Sequence, residues 1–397
     1  MAAPAEEKER LFHPHLRNGE VGDKHSKKVV TKPLAGFLGS AKCVADETDA
    51  CLSPLPYGFR SFDRQWIIPD IRLINQANPE LWEVRADHQV FFTVPTDQTP
   101  TNGPAFTVSA AVPDLHHYNG RGGRTFPFWR DAKAKTPNLP PNLLPYFSER
   151  IGCAVIVEDF MAYLAAVAAQ PAYTARFQND LSTPGLRIPL TAEAALFTEA
   201  AELGRSIIWL HTFGERFTDA DADRPAAPPR AEAAQRPSIP KDGAIPFGAA
   251  DMPDTLTYDV ATQRLHVGKG HIDHVLPAVW AYEISGKQVL IQWFSYRKKN
   301  RERPIMGDRR PPSPLGQIQP DHWLPEYTTE LINVLNVLTR LVALEPQQAD
   351  LLERICNGPL ISEDELQTSG ALEKGPTAKA GKAEDAGMSD LFAEVGS

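Results

Sequence analysis

Two segments of the sequence carry side chains suited to contact with nucleic acid, and the more basic one is 297–310 (RKKNRERPIMGDRR). It holds seven basic residues against Glu302 and Asp308. Lysine and arginine neutralise phosphates, whereas Arg, Lys and Asn also pair with base edges. The segment therefore predicts DNA contacts from Arg297, Lys298, Lys299, Asn300, Arg301, Arg303, Arg309 and Arg310. The alternative is a charged loop that only faces water.

The other segment comes first in the chain, at 116–135, so it is the first basic segment and 297–310 is the second. The first segment has five basic residues against one acidic residue, Asp131. Glycines at positions 120, 122 and 123 leave the backbone free to come close to a ligand. A turn here between two strand-like runs would hold its polar side chains at a loop tip, where they suit groove or phosphate contact. We predict DNA contacts from Asn119, Arg121 and Arg124, with a hairpin turn bearing exposed arginines as the alternative.

A loose carboxylate pattern makes metal-dependent nuclease chemistry an alternative function. Asp114, Asp131 and Lys133 follow the order in which nuclease carboxylates bind magnesium and a lysine steadies the attacking water. The pattern often arises by chance, and Lys133 falls in a polar connection. His116 and His117 do not easily share an ion, because adjacent residues on a strand point to opposite faces. We predict no catalytic and no metal-binding residues in this chain.

The motifs of several enzyme classes are missing from the sequence. There is no G-x-x-x-x-G-K-[ST] loop for nucleotide hydrolysis and no G-x-G-x-x-G after a strand. The Asn-Pro-Pro-aromatic motif of amino-methyltransferases is missing too, as are G-x-S-x-G and H-E-x-x-H. We therefore expect the chain not to be an enzyme by itself.

The overall charge of the chain is acidic, but the acidity is concentrated. The 397 residues carry a formal net charge of −9, and positions 361–397 hold eight acidic and three basic residues, a net −5. The remaining chain is close to balanced and has room for basic faces. Four cysteines fit no zinc spacing, and residues 1–30 carry no apolar signal segment. These features predict a cytoplasmic protein without membrane association.

Hydrophobic periodicity predicts an α+β chain in which β-rich and helical parts alternate. After an N-terminal arm at 1–54, strand-like runs at 65–68, 90–94 and 105–112 define a β-rich part over 55–150. A helical region over 151–217 follows, with helices predicted at 158–169, at 173–181 and after a capping Thr191.

The C-terminal half repeats this alternation. The Pro-rich segment 218–252 is predicted to be a flexible insertion. A second β-rich part over 253–325 contains a hairpin at 255–267, a strand at 279–284, a helix at 289–296 and the basic loop. Helices follow over 326–360, the clearest at 327–344, and 361–397 is predicted to be a disordered acidic tail.

One further motif links the chain to a known family. Residues 59–66 (FRSFDRQW) resemble the Y-R-P-F-D-x-R-W/Y signature of the C-terminal specificity domain of type ISP restriction–modification enzymes. Other stretches are similar to that family in the same order: 112–117 (VPDLHH), 171–173 with 187–190 (PAY, RIPL), 203–204 with 210–211, and 279–297. The resemblance spans roughly residues 10–360, and many motifs in one order make it specific.

The resemblance implies a β-rich target-recognition domain with a helical docking region. Such a domain reads an asymmetric site in double-stranded DNA and presents its adenine to an N6-adenine methyltransferase. Family enzymes carry the nuclease, motor and methyltransferase in the same chain, whereas their motifs are missing from this sequence. The resemblance therefore implies either a partner methyltransferase or restriction subunit that binds S-adenosylmethionine, or a chain that is an orphan or a fragment, and no cofactor in this chain. A third reading is a non-catalytic assembly protein of a phage-defence complex, whose tail (390–395, DLFAEV) docks a partner.

Overall fold

The computed structural model describes residues 2–11, 32–37, 39–74, 77–95, 99–118, 123–183, 185–299 and 319–373. Over these ranges the chain combines helices with five small antiparallel sheets of two or three strands. This confirms the predicted α+β class. Among the helices in these ranges, none is long and apolar enough to cross a membrane.

The N-terminal part is built from a hairpin and a three-stranded sheet. The hairpin joins β1 (Leu55–Arg60) to β2 (Asp63–Ile67), and the sheet has the order β4 (Thr107–Ser109), β3 (Phe91–Val94), β5 (Arg124–Pro127). Successive side chains of a strand face opposite sides, so Phe92 enters the main core while Phe91 enters a smaller one with Leu34 and Trp82. Because β3 is buried on both faces, it holds the sheet at the centre of this part.

Helices form most of the main core. They are α3 (Leu143–Ile151), α4 (Val157–Ala168), α5 (Pro171–Arg176), α6 (Ala194–His211) and the 33-residue α9 (Pro325–Asn357); two short helices, α1 (Ala5–Leu11) and α2 (Pro79–Glu83), precede them. Every side chain from Phe160 to Ala168 is buried. Gly204 of α6 touches the backbone of α4, because a Cβ there would stand 1.7 Å from the carbonyl oxygen of Ala162. The apolar faces of α4 and α6 thus pack inside the chain.

Helix α9 differs from the sequence prediction because it continues through Pro346. A proline inside a helix removes one backbone hydrogen bond and favours a break. Here Gln170 and Gln348 bridge α9 to the end of α4: Gln170 Nε2 donates to the Gln348 carbonyl (3.2 Å), and Gln348 Nε2 donates to that of Ala166 (3.1 Å). These buried contacts favour one continuous helix.

Segment 218–252 also differs from its prediction as a flexible insertion. It contains short 3-10 turns, and its polar groups bond to the helical core. The indole N–H of Trp209 donates to the Pro225 carbonyl (2.9 Å), and the Ala231 N–H donates to Asn336 Oδ1 (2.8 Å). The segment is low in apolar residues, which is why its composition pointed to flexibility, but these hydrogen bonds and the buried Ile245 and Met252 hold it against the rest of the chain.

The second β-rich part contains the sheet β7 (Leu256–Asp259), β8 (Arg264–Val267), β9 (Gly270–Ile272), which confirms the predicted hairpin. The strand predicted at 279–284 is instead α7 (Pro277–Trp280) followed by the short strand β10 (Glu283–Ile284), which pairs with β11 (Lys287–Gln288). The predicted helix at 289–296 is α8 (Val289–Ser295). A proline at the first turn favours α7, because its missing N–H costs nothing there.

The C-terminal boundary of the folded chain lies beyond the predicted one. Thr191 does not cap α6 but belongs to β6 (Leu190–Thr191), which pairs with β12 (Leu360–Ile361). Ser362 then caps α10 (Glu363–Thr368), and Glu365 contacts Arg150 of α3 at 2.5 Å. The first part of the predicted disordered tail is therefore folded, and positions 374–397 lie outside the described residues.

Candidate nucleic-acid interface

The β1–β2 hairpin carries the FRSFDRQW motif, and its turn contacts described residues at the start of both basic segments. Gly58 allows the hairpin to approach the 109–117 region, since a Cβ there would stand 2.7 Å from Ser109 Oγ. Phe62 takes a left-handed backbone conformation (φ 61°) and packs its ring 4.8 Å from that of His211. The turn is thus fixed against the core, while Arg60, Ser61 and Asp63 are directed towards the basic segments.

Arg60 and Ser61 hold the stem of the first basic segment. The Ser61 N–H donates to the His117 carbonyl (2.7 Å), and the Ser61 hydroxyl donates to the Tyr118 backbone carbonyl (2.6 Å). Arg60 pairs with Asp114 at 2.6 Å. The same carboxylate accepts a hydrogen bond from the His116 N–H (2.9 Å). The chain is therefore positioned up to the residue that precedes the glycine-rich loop.

The same hairpin holds the stem of the second basic segment. Arg60 Nε donates to the Tyr296 hydroxyl (3.2 Å), and the ring of Phe59 meets that of Tyr296 edge-on at 4.7 Å. Asp63 pairs with Arg297 at 2.6 Å, and both side chains are almost fully buried. One turn of four residues thus fixes the start of both basic segments.

Residues that follow position 318 pack against the stem of the second segment. Trp323 packs its ring 6.3 Å from Trp293 and 6.1 Å from Phe294, and Tyr327 lies 5.4 Å from Trp323. The Arg297 guanidinium lies 3.9 Å from the Trp293 ring centroid. The described residues before position 300 and after position 318 therefore meet in one aromatic cluster.

The structure corrects the sequence prediction for Arg297. Its side chain is 5% exposed, and it bonds Asp63, the Trp293 carbonyl (2.9 Å) and the Trp293 ring. A guanidinium held this way is a structural ion pair and is not presented to a DNA groove. The charge that identified it in the sequence is neutralised by a carboxylate 234 positions away.

The other predicted contact residues are placed as follows. Arg124 starts β5 opposite Val94 and is half-buried, Lys298 is half-buried, and Lys299 is exposed at the end of the described stem. The remaining predicted residues lie outside the described residues: Asn119, Arg121, Asn300, Arg301, Arg303, Arg309 and Arg310. Sequence reasoning missed Arg60, Ser61 and Asp63 as anchors, although Arg60 and Asp63 match the Arg and Asp of the family motif, which was a signal.

Two buried histidines lie beneath the hairpin. Burial lowers the pKa of His117 to about 3, helped by the nearby charge of Arg60 and by His211, and burial lowers the pKa of His211 to about 3. His117 Nδ1 is 3.1 Å from Thr93 Oγ1, and His211 Nδ1 accepts the Val108 N–H at 3.2 Å. Both rings are therefore neutral near pH 7 and add no positive charge to this region.

The nuclease alternative depends on Asp114 and Asp131, and both carboxylates have other partners. Asp114 pairs with Arg60, whereas Asp131 accepts backbone N–H groups of Lys133 (2.9 Å) and Thr136 (2.8 Å) and organises its own loop. Within the described ranges, no group of three or more His, Cys, Asp or Glu residues is arranged to hold a metal ion.

Comparison with solved structures shows similarity to restriction enzymes bound to DNA. The ATP-dependent Type ISP enzyme LlaBIII bound to DNA matches with a TM-score of 0.50 at 12% identity, over 78% of this chain and 19% of that one. A DrdV–DNA complex has a TM-score of 0.49 at 17% identity, over 79% and 29%. A nuclease-deletion mutant of the Type ISP enzyme LlaGI in complex with a DNA substrate mimic matches with a TM-score of 0.48 at 13% identity, over 79% of this chain and 21% of that one. The chain spans less than a third of the length of each.

A search of curated proteins finds no match. The family model of the Type ISP C-terminal specificity domain matches residues 3–333, most of the 397-residue chain. That match includes the hairpin motif, both basic segments and the start of α9. By this match, the chain belongs to the family of Type ISP C-terminal specificity domains.

Proposed function

We propose that this chain recognises a specific site in double-stranded DNA for a cytoplasmic type ISP restriction–modification system. The observation that carries the proposal is the shared anchor: one hairpin turn positions the stems of the two most basic segments of a specificity-domain chain. Base reading requires side chains held in a fixed geometry beside the duplex, and phosphate contacts set the register. The anchored stems support the first requirement, and the lysines carry the charge that the second requires.

We further propose that the chain presents an adenine of this site to a partner N6-adenine methyltransferase or restriction subunit. A methyltransferase reaches a base in a duplex only after the base is flipped, so sequence choice needs contacts beside it. S-adenosylmethionine would bind to the partner. This step extends the family assignment, and it gives the chain a role without chemistry of its own.

Selection of bound duplexes from a random pool tests the first proposal. It is done at two salt concentrations, with and without the methyltransferase. We expect enrichment of one asymmetric, adenine-containing sequence. Binding that disappears at moderate salt with no enrichment would leave only non-specific electrostatic attraction, and target recognition would be rejected.

Variants of described residues then separate base contact from phosphate contact. Arg124→Ala is expected to weaken binding to the enriched duplex by about 1–3 kcal/mol and to relax selection at one position. Lys299→Ala should weaken all duplexes alike. The matched control is Lys241→Ala, an exposed lysine in the 218–252 segment. Equal losses in all three variants would refute the assignment of the contact surface.

Methylation tests the second proposal. The partner methyltransferase is incubated with the enriched duplex, with and without this chain, and N6-methyladenine is mapped by position. We expect methylation at one adenine only when the chain is present. Equal methylation without the chain would show that the partner reads the sequence itself.

A further inference from the structure

We infer that Arg60 is a positioning residue that couples the two basic segments, so that contacts made from one depend on the other. This inference rests on the proposed function. It starts from a single guanidinium that contacts both stems: it pairs with Asp114 at 2.6 Å, and its Nε donates to the Tyr296 hydroxyl at 3.2 Å. Asp114 and Tyr296 are separated by 182 positions of sequence.

The contacts of Arg60 leave it little freedom to adjust on one side only. Its side chain is 11% exposed, and its guanidinium carbon lies 3.9 Å from the centroid of the Phe59 ring. The planar fork of arginine directs its donors at fixed angles, so a shift of either partner changes the geometry of the other bond. Arg60 is also charge-neutralised by Asp114, which favours a structural role over direct phosphate contact.

The partners of Arg60 are themselves tied to the basic segments. Asp114 accepts the His116 N–H and the Tyr57 hydroxyl (3.3 Å), so its position sets the turn that leads into the glycine-rich loop. Tyr296 immediately precedes Arg297, which Asp63 fixes. A displacement of one stem therefore reaches the other through two hydrogen-bonded side chains and Arg60.

Hydrogen exchange of the full chain without DNA tests the coupling directly. Asp114→Asn keeps the shape of the side chain but removes its charge. We expect the Arg297 and Lys298 amides, both bonded to the Phe294 carbonyl, to exchange about tenfold faster. Reciprocally, Tyr296→Phe should speed exchange of the His117 amide. If each variant changes only its own segment, Arg60 does not couple them.

A double-mutant cycle on DNA tests whether the coupling affects recognition. Affinity for the enriched duplex is measured for Arg124→Ala, Lys299→Ala and both together. We expect the fold-loss in affinity of the double variant to differ from the product of the two single fold-losses by threefold or more. A difference of about threefold is roughly the smallest that clearly exceeds the error of additive sites. In the Arg60→Lys background the losses should become multiplicative within about twofold, since an ammonium on a flexible stem lacks the planar fork that fixes the angle between the two bonds.

Controls separate this inference from simple unfolding and from failure of the proposed function. Arg264→Lys disturbs another arginine ion pair, with Asp273 at 2.7 Å, and should leave the cycle unchanged. If Arg60→Lys does not fold, Tyr296→Phe replaces it as the uncoupled background. A chain that enriches no duplex refutes the proposed function, and hydrogen exchange then still decides the coupling. Coupled exchange with multiplicative losses in the native background would overturn the role in recognition.

Discussion

Removal of the Asp63 carboxylate is expected to destabilise the fold strongly. The Asp63 and Arg297 side chains are 2% and 5% exposed and lie 2.6 Å apart. Burial raises the pKa of Asp63, and the charge of Arg297 opposes that rise, so each ion depends on the other. Breaking a buried pair from one side costs about 3–5 kcal/mol, because the remaining charge stays desolvated. Arg297 keeps its bond to the Trp293 carbonyl and its contact with the Trp293 ring. We therefore expect Asp63→Ala to lower the free energy of unfolding by about 3 kcal/mol, at the lower end of that range.

Urea unfolding followed by tryptophan fluorescence measures this loss. With an m-value of about 3 kcal/mol per M, the midpoint should fall by about 1 M. The double variant Asp63→Leu/Arg297→Met removes both charges and should recover most of the loss. Asp350→Ala breaks an exposed i,i+4 pair with Arg354 (2.9 Å) and should cost only about 0.3–0.5 kcal/mol.

The same variants distinguish a structural arginine from a DNA-contacting one. In the double variant, affinity for the enriched duplex should stay within about twofold of the native value, the usual error of additive sites. The reasoning is refuted if Asp63→Ala costs as little as Asp350→Ala. It is also refuted if the double variant is stable but binds DNA tenfold more weakly.

Three further changes test the packing and the buried titratable groups. Gly204→Ala would normally favour a helix by about 1 kcal/mol, but the added Cβ would stand 1.7 Å from the Ala162 carbonyl oxygen. We expect a loss of about 3 kcal/mol, and an unchanged melting temperature would contradict the close helix contact. Burial raises the pKa of Glu345 to about 7. Between about pH 4.5 and 7 the folded state therefore binds more protons than the unfolded state, and the free energy of unfolding falls as pH rises. Glu345→Gln should therefore stabilise the chain by about 1–2 kcal/mol at pH 8, allowing for partial exposure, and no gain in urea unfolding would contradict this. His117 and His211 have pKa values lowered to about 3, so their contribution is present above about pH 6.5 and lost as pH falls. In the Glu345→Gln background, lowering the pH from about 6.5 to 5 should reduce the free energy of unfolding by up to about 2 kcal/mol for each histidine. A free energy of unfolding that does not change over this range would contradict the burial of the two histidines.

Local patterns of the sequence predicted the local elements well. Strand β3, helix α4 and helix α8 lie within one or two residues of their predicted positions, because alternation and helical spacing act over a few neighbours. The β7–β8 hairpin was predicted for the same reason. Elements fixed by distant partners were not predicted: α9 continues through Pro346, and the 218–252 segment is folded through bonds to Trp209 and Asn336.

At the candidate interface too, features that depend on neighbouring residues were predicted and those that depend on distant partners were not. Charge density identified the two basic segments, since charge is a local property of the sequence. It could not identify which cation is buried, because the partner of Arg297 is Asp63 in another element. The family motif supplied the missing signal, as it placed Arg60 and Asp63 within one short turn whose two sides contact the two segments.

Burial of Arg297 changes how much charge the second segment can bring to DNA. Segment 297–310 has seven basic and two acidic residues, a net +5, and subtraction of the neutralised Arg297 leaves +4. Each phosphate contact contributes about 0.9 to the slope of log affinity against log salt. Lys299→Ala should therefore reduce that slope by about 0.9 if the lysine meets a phosphate, whereas the Asp63→Leu/Arg297→Met variant should leave it unchanged. A slope that falls equally in both would mean that Arg297 leaves Asp63 when DNA binds, and the anchor would then be a switch instead of a fixed support.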